Sequence, residues 1–493
     1  MTEILKIGTG YIMGTENNKN GTDGGHGAVD DGYFSERELR KGAAGWILLA
    51  GLGVAYVISG DFAGWNFGLA KGGWGGLAIA TILMAVMYST MIFSLAELSA
   101  TIPSAGGGYG FARRAFGPFG GFLTGTAILL EYSVAPAAIA AFISAYLNSL
   151  AGISGWPVSL AFFTVFIGIH LYGVGEALKL MLGVTIVAVA ALLIFIMAML
   201  PHFDVANLFD IPVAGGLGAS KFLPFGILGI WAAIPYAMWF FLAVEGLPLA
   251  AEETADPERN MPKGMIAAII ILLLLATLIL FVGPGGGSAA NLANAGDPLI
   301  AAMRSDTAYG GATLTGKIIN IVGLAGLIAS FFSIIFGYSR QVFALSRAGY
   351  LPRVLSLTSK RKTPYLALLV PGSLGFLLSL SIDGDMLILV AVFGAAISYI
   401  LMMAAHIRLR ISEPDMDRPY RTPGGIVTSG IALFLAVIAL IAGFLVEPNV
   451  IFYAAIFYGL MVAYFLLYSR RHLVAQAPEE EFEAIRQAEA ALD

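Results

Sequence analysis

Long apolar stretches, separated by short polar or Gly/Pro-rich connections, recur along most of this 493-residue chain. An α-helix rises about 1.5 Å per residue, so a helix needs about 20 apolar residues to cross the hydrocarbon layer of a membrane. Twelve stretches meet this requirement approximately and predict membrane helices, numbered here as spans 1 to 12: 43–70, 75–101, 118–149, 156–173, 176–200, 225–251, 264–283, 317–341, 365–382, 385–409, 426–446 and 449–469.

The two ends of the chain differ from this apolar region. Residues 1–42 are polar and rich in Gly, Asn and Asp, and they lack the apolar core of a signal peptide. They are expected to form a mobile cytoplasmic tail. Residues 471–493 are charged, with helical spacing, and predict a second cytoplasmic tail, so that 43–470 is one membrane domain.

Composition supports a membrane protein. The chain is 58% hydrophobic and 12% charged, whereas soluble domains carry about 25% charged residues. Its net charge of −5 argues against a nucleic-acid partner, and the absence of cysteine excludes disulfides and thiolate chemistry.

The basic residues predict the orientation. Lys and Arg are concentrated in cytoplasmic loops of membrane proteins. With both termini inside, only four of the 27 basic residues lie outside: Lys71, Lys221, Arg304 and Lys317.

Helix-breaking residues cluster in two of the spans, and each cluster contains an acid. Span 1 carries Ser59, Gly60, Asp61 and Gly64, and span 6 carries Pro235, Glu245, Gly246 and Pro248. Proline removes a backbone donor and glycine eases unwinding, and a break in hydrocarbon is tolerated only where it lines a cavity. Breaks five spans apart, in helices of opposite direction, indicate two inverted five-helix repeats with a binding site between them. Close helix packing is the alternative explanation for any single glycine.

Several segments resemble the amino acid–polyamine–organocation transporter superfamily. They are "AELSATIPSAGGGYGFARRAFGPFGGFLTG" at 96–125, "AEETADPERNMPKG" at 251–264, "YSRQVFALSRAGYLPRV" at 338–354 and "RPYRTPGG" at 418–425. The stretches "YVISGDFAGWNFGLAKGGW" at 56–74 and "PYAMWFFLAVEGLPLAAEE" at 235–253 resemble the ethanolamine permeases within it. The resemblance covers roughly residues 43–470.

This resemblance implies an all-α fold of two inverted repeats, 43–200 and 225–410, with two extra helices in 426–470. It also implies alternating access to a substrate held at the breaks. In amino acid transporters of the superfamily, amides of a Gly-Ser/Ala-Gly motif in span 1 hold the substrate carboxylate. Here the matching positions are Ile58, Ser59 and Gly60, and Asp61 follows, which puts an amino acid substrate in doubt. The lysine of many proton-coupled relatives has no match at 185–188, and Lys179 lies nearer the cytoplasm.

A carboxylate beside free amides repels an anionic substrate end and favours a cation, as ethanolamine is. Asp61 is expected to pair with the ammonium, and aromatic faces can add about 0.5–2 kcal/mol. The expected substrate site consists of Ser59, Gly60, Asp61, Phe62, Trp239 and Phe240. A second group of candidate cavity residues consists of Tyr56, Trp65, Tyr132, Ser333 and Tyr338.

Glu245 and Glu131 are the candidates for coupling or gating. Glu245 lies nearer the cytoplasm than Asp61, which favours a proton role, and Glu131 is a candidate cavity residue of span 3. Ser330 or Ser333 can instead serve a sodium site with carbonyls of span 1, so both coupling ions remain open. Glu97, Glu252 and Glu253 lie near cytoplasmic helix ends and are expected to pair with Arg or Lys.

The sequence therefore predicts a secondary transporter that imports ethanolamine or a similar small amine across the plasma membrane, in a bacterium the inner membrane. An amino acid or polyamine permease is the main alternative, and a non-transporting amine sensor a further one. No cofactor, metal or catalytic constellation is expected, so an enzyme is disfavoured. Oligomeric state is not predicted.

Overall fold

The computed structural model describes residues 44–104, 106–310 and 314–474, together with Arg37, Leu39 and Gly42. Within these ranges it gives no side-chain description for 174–178, 314–320, 322, 450 and 451. The predicted tails therefore lie almost wholly outside the described residues.

The described part of the chain is helical and contains no β-strand beyond two isolated bridges. Nine of its helices are long and apolar enough to cross a membrane, and three shorter apolar helices, Trp46–Phe62, Trp156–Tyr172 and Tyr365–Ser379, complete the twelve predicted spans. The helices are Trp46–Val57, Ser59–Phe62, Phe67–Thr101, Gly108–Ala151, Trp156–Tyr172, Val174–Met199, Gly226–Trp239, Pro257–Gly287, Ala289–Leu292, Pro298–Arg304, Leu314–Arg347, Tyr365–Ser379, Gly384–Ser412, Ile426–Val446, Asn449–Tyr464 and Arg470–His472.

Glycines with positive φ divide two of the longest helices. Gly73 has φ 67°, so the helix Phe67–Thr101 bends sharply there. The bend lies between the C-terminal end of span 1 and span 2. Gly117 has φ 76° and separates a short helix from span 3. A side chain is disfavoured at such φ values, and at Gly73 a Cβ would also lie 2.2 Å from Pro224.

Both predicted helix breaks are present. Span 1 loses helical geometry at Ala63, which is extended with φ −160° and ψ 160°. Span 6 is helical to Trp239, irregular over 240–243, and continues as a 3₁₀ helix over Val244–Glu253. Pro235, one of the helix-breaking residues of span 6, lies inside the regular helix. The irregular turn comes five residues later and contains Ala243 in the left-handed region, at φ 77°.

The packing has the symmetry of an inverted repeat, since contacts recur five spans apart along the chain. Span 2 packs on span 6, as span 7 packs on span 1. Span 3 packs on span 10, as span 8 packs on span 5, and spans 3 and 9 make a contact whose counterpart joins spans 8 and 4. The two breaks are thereby brought to the centre of the bundle.

Three acids at the helix ends facing the N-terminal side pair with arginines, as expected. Glu253 accepts from Arg340 at 2.8 Å, with both side chains fully buried. Glu252 pairs with Arg347 at 2.5 Å. Glu97 pairs with Arg410 and with Arg418, the latter at 3.1 Å, and it also accepts from the backbone amide of Thr422. These ion pairs join spans 2, 6, 8 and 10 on that side of the protein.

Candidate functional site

The two broken helices touch each other through their backbones. A Cβ on Gly60 would lie only 2.4 Å from the carbonyl oxygen of Trp239 and 3.1 Å from the Cα of Phe240. Gly64 has φ +97°, and a Cβ there would lie 2.5 Å from the indole nitrogen of Trp239. Only glycine permits this approach, so the glycines predicted to mark the break also bring spans 1 and 6 together.

Neighbouring side chains satisfy the backbone carbonyls that the break in span 1 frees. The hydroxyl of Tyr146 donates to the Phe62 carbonyl at 2.8 Å, and the indole N–H of Trp239 donates to the Ala63 carbonyl at 2.9 Å. This matters because an unsatisfied backbone group costs several kcal/mol in hydrocarbon. Trp239 therefore stabilises the non-helical backbone of the break as well as lining it.

Ser330 of span 8 bridges the N-terminal side of the same break. Its hydroxyl accepts from the Ser59 amide at 2.8 Å and donates to the Ala55 carbonyl at 2.7 Å. The Asp61 amide donates to the Ile58 carbonyl at 3.1 Å. Two amides near the break are thus already occupied within the protein.

Asn66 fixes the C-terminal side of the break. Its amide nitrogen donates to the carbonyls of Leu292 and Ala295, both at 2.8 Å, and its oxygen accepts from the Gly64 amide at 3.1 Å. Nearby, Ser149 at the end of span 3 donates to Asp297, and burial raises the pKa of this loop carboxyl above its usual range. Span 1 is therefore tied to the loop that follows span 7.

Asp61 lies at the centre of this arrangement without a partner. It is fully buried, and neither carboxylate oxygen has a hydrogen-bond donor among the described residues. Glu97, Glu252 and Glu253, in contrast, are all paired with arginine. A buried carboxylate without a partner is costly unless its charge is compensated from outside the described residues.

Aromatic rings surround this carboxylate segment. The ring of Trp65 in span 1 stacks on the ring of Phe240 in span 6, with centroids 5.5 Å apart. This contact joins the two broken helices. Phe62 packs against span 8 at Gly326, where a Cβ would fall inside van der Waals distance of its ring. The side chains of all these residues are buried.

Glu245 lies in a tyrosine cluster on the C-terminal side of the span 6 break. Its carboxylate accepts from Tyr399 at 2.7 Å and from Tyr132 at 3.2 Å. Tyr88 lies 3.2 Å from the hydroxyl of Tyr399 and extends the hydrogen-bonded chain to span 2. Glu131 is completely buried beside Glu245.

The remaining predicted residues divide between this site and its surroundings. Tyr56 lies in the cluster, with its ring 6.1 Å from that of Tyr132. The hydroxyl of Ser333 donates to carbonyls of its own helix, and Tyr338 donates to the Leu368 carbonyl of span 9, away from the breaks.

Sequence reasoning missed Tyr88, Asn66, Tyr146 and Tyr399. The signal available was a tyrosine or asparagine inside an otherwise apolar span, since a buried polar group needs a partner. Periodicity alone does not identify that partner, because it lies on a distant segment of the chain.

Comparison with known proteins shows the family to which this chain belongs. The family model described as amino acid permease matches residues 47–466, nearly the whole helical bundle. The chain belongs to this family of membrane transporters. The match begins at span 1 and ends in span 12, so it includes both breaks.

Several characterised permeases are similar over most of their length. The branched-chain amino acid permease BcaP of Bacillus subtilis is 27% identical over 80% of this chain and 86% of its own. The methylthioribose transporter of the same organism is 26% identical over 77% of this chain and 83% of its own. The vacuolar cationic amino acid transporter 4 of Arabidopsis thaliana is 27% identical over 69% of this chain and 58% of its own. This family member is thus a multi-pass membrane protein, and its relatives carry chemically different solutes.

Proposed function

We propose that this permease imports ethanolamine or a similar small primary amine across the plasma membrane by alternating access, with both termini in the cytoplasm. The proposal depends chiefly on Asp61, which is fully buried on a broken helix and has no donor for either oxygen in the part of the chain that the structure describes. Import is proton-coupled in this scheme, and Glu245 is the first candidate for the coupling group.

The electrostatics of the site favour a positively charged substrate. Removing a charge from water costs several kcal/mol per ion even after protein relaxation, and a well-placed opposite charge offsets this cost. A primary ammonium supplies that charge and three N–H donors. The ring faces of Trp65 and Phe240, which flank the break, can contribute about 0.5–2 kcal/mol to the same cation.

The backbone geometry disfavours a substrate carboxylate. The Ser59 amide donates to Ser330 and the Asp61 amide donates to Ile58, so neither is free to bind an anion. The negative side chain of Asp61 follows directly and would repel one. A small amine that bears a hydroxyl and no acid avoids both conflicts.

An amino acid permease is the second candidate, since the family match and the name of the Bacillus subtilis BcaP relative favour it. Binding of an amino acid would require the hydrogen bond between Ser59 and Ser330 to open, so that the amide could turn to the carboxylate. A polyamine would fit the charge of Asp61 but would need a second anionic group for its other ammonium.

Sodium coupling is disfavoured by the same serine. A cation between spans 1 and 8 would need the Ser330 hydroxyl and the Ala55 carbonyl as ligands. Here that hydroxyl donates to that carbonyl at 2.7 Å, so a sodium ion would have to displace this hydrogen bond. We therefore take the proton as the coupling ion.

Uptake into proteoliposomes tests the proposal. Purified protein is reconstituted, and accumulation of labelled ethanolamine and labelled alanine is measured under an imposed pH gradient and, separately, an imposed sodium gradient. We expect accumulation of ethanolamine driven by the pH gradient. Accumulation of alanine that ethanolamine does not inhibit would refute the substrate assignment, and ethanolamine binding without any uptake would favour a sensor.

A further inference from the structure

A second pair of acids lies deeper in the bundle than Asp61. Glu131 of span 3 and Glu245 of span 6 are both buried, with exposures of 0% and 3%. Their carboxyl groups are neighbours within hydrogen-bonding reach of each other. Two buried acids in contact need an explanation, because two negative charges so close in a low dielectric repel strongly.

The hydrogen bonds around the two acids are unequal. Glu245 accepts from the hydroxyls of Tyr399 and Tyr132, one on each oxygen. Neither oxygen of Glu131 has a donor among the described residues. Hydrogen bonds to the charged form of a carboxyl stabilise that form. Glu245 is therefore the member built to be ionised, and Glu131 is the member that lacks support for a charge.

One proton resolves this asymmetry. When both groups are ionised, neither can donate to the other, and Glu131 has no partner. When Glu131 is protonated, its O–H can donate to Glu245, and both acids are satisfied. Carboxyl pairs that share one proton because two adjacent charges are unfavourable are a known arrangement in enzymes.

The groups facing the pair come from four spans. They are the tyrosines Tyr56, Tyr88, Tyr132 and Tyr399. In the described residues, no basic side chain forms an ion pair with either acid. Arg340, which acts electrostatically on Tyr56, is already bonded to Glu253 at 2.8 Å. Among the described residues no positive side chain balances the pair, and a proton can do so.

We propose that Glu131 and Glu245 together bind a single exchangeable proton, carried on Glu131 and donated to Glu245, and that this is the coupling proton of transport. This inference rests on the proposed function and moves the proton from Glu245 to its neighbour. The proton enters from water on one side of the membrane, bonds to the Glu131 carboxylate, and leaves to water on the other side. No other bond is made or broken.

The pair contacts the break in span 6, which connects protonation to movement. Tyr132, which donates to Glu245, also lies 3.4 Å from the carbonyl of Ala243, the left-handed residue of the break. A Cβ on Gly246 would lie 2.3 Å from the same hydroxyl. Closing the bundle around two unshared charges is unfavourable, so passage through the closed state requires the proton.

The test compares Glu131→Gln with Glu258→Gln, which alters an exposed acid beyond the end of span 6. Glutamine keeps the donor that the protonated acid would supply. In proteoliposomes, we expect Glu131→Gln to retain ethanolamine exchange without a gradient and to lose its pH dependence. We expect its accumulation under a pH gradient to fall to the level seen without one, while Glu258→Gln behaves like the wild type. Full gradient-driven accumulation by Glu131→Gln would overturn the proposal.

A second measurement does not depend on the substrate. Infrared spectra of the purified protein detect the carbonyl stretch of a buried protonated carboxyl. We expect a band at neutral pH that Glu131→Gln removes and Asp61→Asn retains. If the wild type takes up no ethanolamine, the proposed function fails, and the spectra still decide the pair. Spectra of the wild type and Glu131→Gln that do not differ would refute it.

Discussion

Replacing Asp61 with asparagine tests the electrostatic basis of substrate binding. The substitution keeps the size and shape of the side chain and removes its charge. Because Asp61 is fully buried and has no partner among the described residues, its charge must be balanced from outside the protein, and in the proposed function the ammonium of the substrate does so. The variant therefore removes one member of the proposed ion pair and leaves the protein's own hydrogen bonds intact.

The expected magnitude follows from the burial of the pair. Removing one partner of a buried ion pair costs about 3–5 kcal/mol, because the other charge is left without compensation. Each 1.4 kcal/mol changes a dissociation constant about tenfold. Binding of ethanolamine to Asp61→Asn is thus expected to weaken by roughly two to three and a half powers of ten. The substrate-free variant should unfold at the same temperature as the wild type or higher, since it no longer buries an uncompensated carboxylate.

Titration calorimetry on detergent-purified protein measures the affinity, and thermal unfolding with and without ethanolamine supplies a second measurement. At 100 times the dissociation constant, a ligand stabilises the folded protein by about 2.7 kcal/mol. The wild type should show this stabilisation and Asp61→Asn should lose it. The control is Asp306→Asn, the same change at an exposed position. Unchanged affinity in Asp61→Asn would remove this carboxylate from the site.

Two further changes test the geometry around the breaks. In Gly60→Ala the new methyl group would lie 2.4 Å from the Trp239 carbonyl, so we expect the two breaks to separate. The folded protein should lose about 1–3 kcal/mol of stability, and uptake should be lost. The control is Gly168→Ala, which has nothing within 4 Å of its Cβ and should leave uptake unchanged. Burial raises the pKa of Asp297, so the folded state favours the protonated form of this carboxyl. The resulting contribution to folding stability is complete near pH 4 and is lost as the pH rises through the raised pKa. The melting temperature of Asp297→Asn relative to the wild type should therefore increase between pH 4 and pH 8, and a pH-independent difference would contradict this.

The sequence could predict the positions of the spans and breaks because hydrocarbon imposes a strict rule on the backbone. Apolar length marks a helix, and glycine with an acid marks a place where the helix opens. Pro235 does not open span 6, because a proline can be accommodated in a membrane helix when neighbours satisfy the freed carbonyl. The observed turn is at 240–243, where only Ala243 has an unusual backbone conformation.

Side-chain partners were harder to predict than the spans. Glu245 was recognisable as a costly acid, but its bonds to Tyr132 and Tyr399 depend on how spans 3, 6 and 10 pack. Tyr338 was expected near the cavity and instead bonds to span 9, because a small rotation of a helix changes the face that a residue occupies. The contacts of Glu245 join residues more than 100 positions apart, and a local sequence pattern does not identify such partners.

The charges of the central acids lead to a stoichiometry. Asp61, Glu131 and Glu245 are all buried, and no described basic residue pairs with any of them, whereas the acids at the helix ends each have an arginine. Two tyrosine hydroxyls support a charge on Glu245 alone. The closed protein therefore needs two positive charges from outside, and the proposed amine and proton supply one each.

This balance predicts one proton and two positive charges moved per molecule of ethanolamine. Proteoliposomes with an imposed membrane potential and a known ethanolamine gradient can be poised at the pH gradient that gives no net uptake. Balance points measured at two membrane potentials yield both numbers. One charge per ethanolamine, with no proton, would mean that the acids of spans 3 and 6 stay permanently neutralised. Two protons per ethanolamine would mean that Glu245 also titrates during the cycle, despite the two hydroxyls that donate to it. Either ratio would contradict the assignment of a single proton to the pair.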